Sequence, residues 1–214
     1  MKFDKSMLTL YAVTDRAYLR GRRLEDRVEE AIRGGATLIQ LREKDLPDGE
    51  FLQAARAVQQ VTRRYRVPLI INDNLKVMLA ADADGIHVGQ GDQDAAEVRR
   101  AIGPDKILGV SAKTVAMAEK AMADGADYLG VGAVFPTGSK ADAGVIGTAP
   151  LRRIKDAVGL PMVAIGGVNE HNIQQLEGTG VDGIAVISAL FGAEDVTRQA
   201  ELLYALARRL GDRA

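Results

Sequence analysis

Apolar positions along the chain fall into two alternating patterns. Short runs rich in Val, Ile and Leu predict strands at residues 8–13, 37–41, 68–71, 85–88, 107–110, 128–134, 161–165 and 183–187. Several of these runs are apolar on both faces, as parallel strands covered on both sides must be. Amphipathic stretches lie between them. Leu24, Val28, Ala31 and Ile32 stand at i, i+4, i+7 and i+8, and Val196, Ala200, Leu203, Ala207 and Leu210 repeat the stripe. Phe51, Ala55, Val58 and Tyr65 predict a further helix, and Ala95, Val98 and Ile102 a shorter one. Gly34-Gly35, Gly125 and Gly180 each close a helical segment just before a strand, the place for a left-handed cap.

About eight strand–helix units share the 214 residues, roughly 27 residues each. A parallel sheet with that many right-handed crossovers either closes into a barrel or opens into a doubly wound sheet. The uniform unit length favours closure. So does the lack of a G-x-G-x-x-G after the first strand, where a dinucleotide site would sit. No linker or charge block divides the chain, so residues 1–214 read as a single compact α/β domain, a (β/α)8 or TIM barrel.

Composition narrows the function. A chain of this length with 47% hydrophobic and 27% charged residues suits a globular domain. Absence of Cys excludes a disulfide scaffold, a cysteine nucleophile and any thiolate metal site. The net charge of -1 and 4% aromatics leave neither a global basic field nor a base-stacking platform, so nucleic acid is not an expected partner. No apolar stretch reaches the ~18 residues of a membrane span. Asp4 and Ser6 interrupt what would be a signal core, so a cytoplasmic setting is expected. Glycine, 23 residues or about 11% against a usual ~7%, is in excess.

In a barrel of this kind the site lies at the C-terminal strand ends. Polar residues gather there. Gln40-Leu41-Arg42-Glu43-Lys44 follows the second strand, and extended alternation puts Gln40, Arg42 and Lys44 on one side. Asn72-Asp73 follow the third strand, Gln90-Gly91-Asp92 the fourth and Ser111 the fifth. A long loop with Thr137, Ser139 and Lys140 follows the sixth, Gly166-Gly167 the seventh and Ile187-Ser188 the eighth. Asp73 and Asp92 on adjacent strands could hold one Mg2+, which prefers oxygen ligands and keeps substrate phosphates in its shell. Arg42, Lys44 and Lys140 would face the remaining phosphate charge. Gly166-Gly167 with Ile187-Ser188 offer a second anion site built from backbone N–H groups. Two phosphate sites in one cavity imply two phosphorylated substrates and therefore a transferase.

Plainer roles compete for each residue taken alone. Asp73 or Asp92 could be a helix N-cap, and Ser111 could cap the helix that begins near Thr114. Residues 42–44 could be a solvated charged face, and Gly166-Gly167 only a tight turn. His87 lies within a strand with apolar neighbours and reads as a hydrogen-bonded structural residue. His171 reads as a surface residue in the first turn of a helix. Asp124, Asp127 and Asp182 fall at the opposite end of the barrel, where turns and stability are the expected roles.

The motifs in order are Q-L-R-E-K at 40–44, I-N-D at 71–73, G-I-H-V-G-Q-G-D at 85–92 and G-V-S at 109–111. F-P-T-G-S-K at 135–140, A-I-G-G-V at 164–168 and V-I-S at 186–188 complete the series. Together they resemble the thiamine phosphate synthase family over nearly the whole chain. The resemblance implies condensation of 4-amino-2-methyl-5-(diphosphooxymethyl)pyrimidine with 4-methyl-5-(2-phosphoethyl)thiazole, giving thiamine phosphate and pyrophosphate. By it, Gln40, Arg42, Lys44, Asn72, Ser111 and Lys140 match the pyrimidine diphosphate site, with Arg42, Lys44, Lys140 and Ser111 as the catalytic set. Asp73 and Asp92 match the Mg2+ ligands. Thr137, Ser139, Gly167, Ile187 and Ser188 match the thiazole phosphate site. The loop departs from the family's T-x-T-K in carrying Ser139, which keeps the hydroxyl and loses a methyl.

The implied chemistry breaks the C–O bond to the diphosphate first, and the thiazole nitrogen then attacks with its own lone pair. No general base is needed, in agreement with the two unpromising histidines. Two alternatives are weighed against this reading. A thiazole tautomerase-like isomerase would carry a histidine on the sixth strand, where Ala133 stands. A non-catalytic phosphate-binding barrel has no need of an acidic pair facing cations. A homo-oligomer stays open.

Overall fold

The computed structural model describes residues 3–138 and 144–211. Eight strands run β1 Leu10–Val13, β2 Leu38–Leu41, β3 Leu69–Asn72, β4 Gly85–Val88, β5 Ile107–Ala112, β6 Tyr128–Gly132, β7 Met162–Ile165 and β8 Gly183–Val186. They pair in parallel and in sequence order, and β8 closes on β1, giving a closed eight-stranded barrel. Around it lie α1 Leu24–Arg33, α2 Asp48–Tyr65, α3 Leu75–Ala81, α4 Ala95–Ile102, α5 Val115–Ala123 and α6 Ala149–Val158, with α7 Ser188–Phe191 and α8 Val196–Gly211 after β8. The crossover from β7 to β8 carries only a 3-10 turn, Ile173–Leu176, where the repeating pattern predicts a helix. His171 therefore sits in an exposed turn before it, not in the first turn of a helix.

Two cores follow from the period-2 alternation of strands. Leu10, Ile39, Leu69, Ile86, Leu108, Leu129, Ala164 and Ile184 face outward against the stripes of Val28, Val58, Val98 and Leu203. Tyr11, Leu38, Ile70, Ile107, Tyr128, Val163 and Ala185 fill the barrel interior. Every apolar position of the predicted α1, α4 and α8 stripes is buried. Strand ends shift by a residue or two. β5 extends to Ala112, so Ser111 lies inside the strand, and Asn72 is the last residue of β3. β6 stops at Gly132, although Val134 N and Phe135 N still donate to Ile165 O and Gly166 O at 2.9 Å.

At the end of the barrel away from the site, one device recurs four times. The residue just before each even-numbered strand, Thr37, Asp84, Asp127 or Asp182, bonds one residue of the preceding strand twice. Its N–H donates to the carbonyl of Leu10, Leu69, Leu108 or Met162 at 2.8 to 3.0 Å. Its side-chain oxygen accepts from the N–H of that same residue at 2.8 to 3.0 Å. The clamped residue is the first of β1, β3 and β7 and the second of β5, and a buried N–H left unpaired there would be costly. The clamp supplies the acceptor.

Glycine serves packing as well as caps. Gly35, Gly125 and Gly180 hold the left-handed φ expected of them, at 109°, 88° and 82°. Gly34 does not, with φ at -82°. A Cβ on Gly34 would lie 2.2 Å from Thr197 O, so this glycine lets α8 approach the end of α1.

Candidate active site

The C-terminal mouth of the barrel opens into a cavity of about 470 Å3. Gln40, Arg42 and Lys44 line it while Leu41 and Glu43 do not, as alternation requires. Glu43 instead accepts from Arg16 Nε at 2.6 Å. Arg42 is only 8% exposed. Its backbone N–H donates to Thr14 Oγ1 at 3.0 Å, and its Nη1 reaches Asp15 Oδ2 at 3.3 Å. Its Nη2 is buried and has no hydrogen-bond partner among the described residues. A buried guanidinium nitrogen left unpaired at a cavity wall fits an anionic acceptor from outside the chain.

Asn72 and Asp73 end β3, and both line the cavity. Asp73 adopts φ 59°, a left-handed conformation that Asp tolerates better than most residues. Its N–H donates to His87 O at 2.9 Å, and Asn72 Nδ2 donates to its Oδ2. Asp92 also lines the cavity, and its Oδ2 accepts from Gly89 N at 2.7 Å. Neither carboxylate caps a helix. Asn74 caps α3 and Asp94 caps α4, each accepting from first-turn N–H groups. Thr114, not Ser111, caps α5. The capping roles are filled by polar residues one to three positions further along the chain, and Asp73, Asp92 and Ser111 are left on the cavity wall.

Ser111 bonds His87 Nε2 through its Oγ at 3.0 Å, and its carbonyl accepts from Gln90 Nε2 at 2.6 Å. His87 is buried and hydrogen-bonded, as its sequence context predicts. Thr137, Gly167, Ile187 and Ser188 line the far side of the same cavity. Gly166 and Gly167 hold φ of 90° and 69°, and a Cβ on Gly167 would lie 2.4 Å from Pro136 O. The pair is therefore more than a turn, because it lets the loop after β6 lie against the loop after β7. Asn169 Nδ2 and Asn172 Nδ2 both donate to Gly167 O and pin that peptide. Ser139 and Lys140 lie outside the described residues, as does part of the 135–147 loop.

The cavity also takes in residues that the strand-end survey does not single out. Lys113 lines it two positions beyond Ser111, by the same alternation that links Gln40 to Arg42. Tyr11 and His87 line its floor. Thr14 and Asp15, which hold Arg42, directly follow β1 and are the strand-end signal passed over there. Ala133 is on the wall, so no imidazole stands at that point.

Comparison with known proteins bears on this arrangement directly. The thiamine monophosphate synthase family model matches residues 10–190. The chain belongs to that family. Thiamine-phosphate synthase of Clostridium tetani is 55% identical over 195 residues, covering 91% of this chain and 93% of that one. That of Alkaliphilus oremlandii is 50% identical and covers 96% and 99%. Thiamine phosphate pyrophosphorylase from Pyrococcus furiosus superposes with a TM-score of 0.88 at 42% identity, covering 96% and 98%. The fold is a closed (β/α)8 barrel that superposes on that relative, with polar residues lining the cavity at its C-terminal strand ends.

Proposed function

We propose that this cavity condenses the aminopyrimidine methyl diphosphate with the thiazole ethyl phosphate, releasing pyrophosphate, and that residues 1–214 act as one catalytic domain. The observation that carries the reading is the buried, half-paired guanidinium of Arg42 on a wall shared with Lys44, Asp73 and Asp92. Arg42, Lys44, Asn72 and Ser111 bind the diphosphate with Lys140, and Gln40 takes the pyrimidine ring. Thr137, Gly167, Ile187 and Ser188, with Ser139, bind the thiazole phosphate across the cavity. Both substrates are charged and do not cross a bilayer unaided, which suits a cytoplasmic enzyme. No helix among the described residues is long and apolar enough to cross a membrane.

The residues present fit Mg2+. Asp73 and Asp92 are hard oxygen donors in one cavity, and the described residues hold no cluster of three or more His, Cys, Asp or Glu. That donor set suits an ion whose shell is completed by substrate phosphate and water. Bound there, Mg2+ would neutralise charge on the diphosphate. Arg42, Lys44 and Lys140 hold the diphosphate as the C–O bond breaks and its electron pair leaves with pyrophosphate. The thiazole site holds the second substrate so that its ring nitrogen can add to the exposed methylene carbon. That addition uses a nitrogen lone pair and removes no proton, so no side chain need act as base. The test is pyrophosphate release from the two substrates with and without Mg2+. Mg2+-dependent release is expected, and its absence overturns the reading.

A further inference from the structure

Two of the cavity's polar side chains, Gln40 and Ser111, are joined beneath its floor by an unbroken chain of hydrogen bonds. Gln40 Nε2 donates to Tyr11 Oη at 2.6 Å. Tyr11 Oη lies 2.8 Å from Tyr128 Oη, and Tyr128 Oη lies 3.1 Å from His87 Nδ1. His87 Nε2 lies 3.0 Å from Ser111 Oγ. The two tyrosines are fully buried and His87 nearly so. Burial pushes both phenols far above their ordinary range, so each carries one proton.

Proton counting then fixes a direction. Tyr11 Oη accepts from Gln40, so its single proton goes to Tyr128 Oη. Tyr128 has received one proton, so its own goes to His87 Nδ1. Nδ1 is then an acceptor, and the imidazole carries its proton on Nε2, where it donates to Ser111 Oγ. With that lone pair engaged, the Ser111 hydroxyl proton must turn elsewhere. At the other end, Gln40 uses its amide nitrogen inward and keeps Oε1 as its acceptor.

The backbone makes room for this chain. A Cβ on Gly109 would lie 2.3 Å from Tyr128 Oη and 2.5 Å from His87 Nδ1, inside the hydrogen bond itself. A Cβ on Gly130 would lie 3.0 Å from His87 Cε1. Tyr128 is further held by a stacked Phe3 ring at 5.7 Å and an edge contact from Tyr11 at 5.8 Å.

We propose that Tyr11, Tyr128 and His87 are positioning residues that set the hydrogen-bond polarity of the cavity, presenting Ser111 as a donor and Gln40 as an acceptor. Resting on the function proposed above, this polarity matches an aminopyrimidine diphosphate. The exocyclic amine is a donor suited to Gln40 Oε1, and the diphosphate is an acceptor suited to the Ser111 hydroxyl. Both contacts lie on the pyrimidine substrate, so the relay bears on that substrate and not on the thiazole phosphate.

The chain has two histidines, so a His171→Gln background labelled with 15N-histidine leaves one imidazole to observe. In the ligand-free protein its nitrogen shifts are expected to be those of the Nε2–H tautomer. The Nδ1–H pattern, or an imidazolium, overturns the proposal. Tyr128→Phe, with Tyr11→Phe as a second variant should the first fail to fold, removes one link and leaves the ring. Either variant is expected to mix the two tautomers and to raise KM for the pyrimidine diphosphate about tenfold, with KM for the thiazole phosphate unchanged. Equal changes in both KM values, or none, overturn the coupling. The tautomer is read without substrate, so it decides the relay even if pyrophosphate release fails and the functional reading falls.

Discussion

At the residue scale, the proposed chemistry rests on the two carboxylates and the cations. Asp73→Ala or Lys140→Ala is expected to lower kcat about 100-fold or more, the scale of losing one electrostatic partner of a departing group. Asp73→Asn, which tolerates φ 59° as Asp does, should lower kcat likewise and leave thermal unfolding nearly unchanged, because the side chain is exposed. A near-normal pyrophosphate release rate in any of these variants would sink the assignment. Arg42→Lys keeps the charge and loses the planar fork, so KM for the pyrimidine diphosphate should rise about tenfold. An unchanged KM in steady-state assays would show that Nη2 meets no phosphate. Gln40, Arg42 and Lys44 were legible in the sequence because strand alternation is a local rule. The cap question at Asp73 and Asp92 was not, because only the backbone path shows that Asn74 and Asp94 reach the helix N–H groups first.

At the element scale, the four clamps before the even-numbered strands should set stability without touching catalysis. Asp127→Ala leaves Leu108 N without its acceptor and Arg99 without its 2.7 Å partner. It should cost about 1–3 kcal/mol. Urea unfolding measures the loss, and kcat should hold, since Asp127 lies at the end of the barrel away from the cavity. A fall in kcat with unchanged stability would contradict this division of labour. Gly183→Ala tests close strand approach in the same way. Its Cβ would lie 1.9 Å from Leu8 O, a backbone atom that cannot swing aside, and a loss of about 1–3 kcal/mol is expected by the same measurement. Amphipathic stripes announced α1, α2, α4 and α8 because burial of one helix face is written in the residue spacing. The 3-10 turn after β7 was not announced. Its buried Ile173 and Leu176 also satisfy a helical spacing, and a three-residue separation does not distinguish a short turn from a longer helix.

For the whole molecule, stability should be bounded on both sides of neutral pH. Glu29 is held below its usual value by a hydrogen bond from Tyr65 and by Arg33 and Arg64. Asp82 is lowered by Lys106 and Asp94 by Lys120. A carboxylate lowered in the fold stabilises above its unfolded pKa and loses that contribution as pH falls through the folded one. Unfolding midpoints should therefore drop below about pH 4, and less steeply at high salt, since Asp82 and Asp94 are exposed and Glu29 partly so. Tyr11 and Tyr128 act at the other end. Their raised pKa values leave stability intact below about pH 10 and erode it above, as unfolded phenols ionise and buried ones do not. The phenolate absorbance of these two residues should appear together with unfolding. Early phenolate signal from the intact barrel would show the tyrosine pair to be solvent-accessible.

The sequence by itself determined the eight alternating units, the barrel they close into, the family, and which strand ends carry charge. Each of these rests on periodicity or on short motifs, which are local in the chain. The tertiary structure decided which polar residues meet. Tyr11 and Tyr128 stand 117 positions apart, and Gln40 and Ser111 lie on strands that do not touch, yet one line of hydrogen bonds joins them. Barrel closure brings them together, because inward-facing side chains from opposite strands share one narrow interior. The glycine excess has its fullest explanation there. A methyl group at Gly109 would occupy the path of that line, and one at Gly130 would crowd the His87 ring. Only the packed barrel shows what that missing side chain leaves room for.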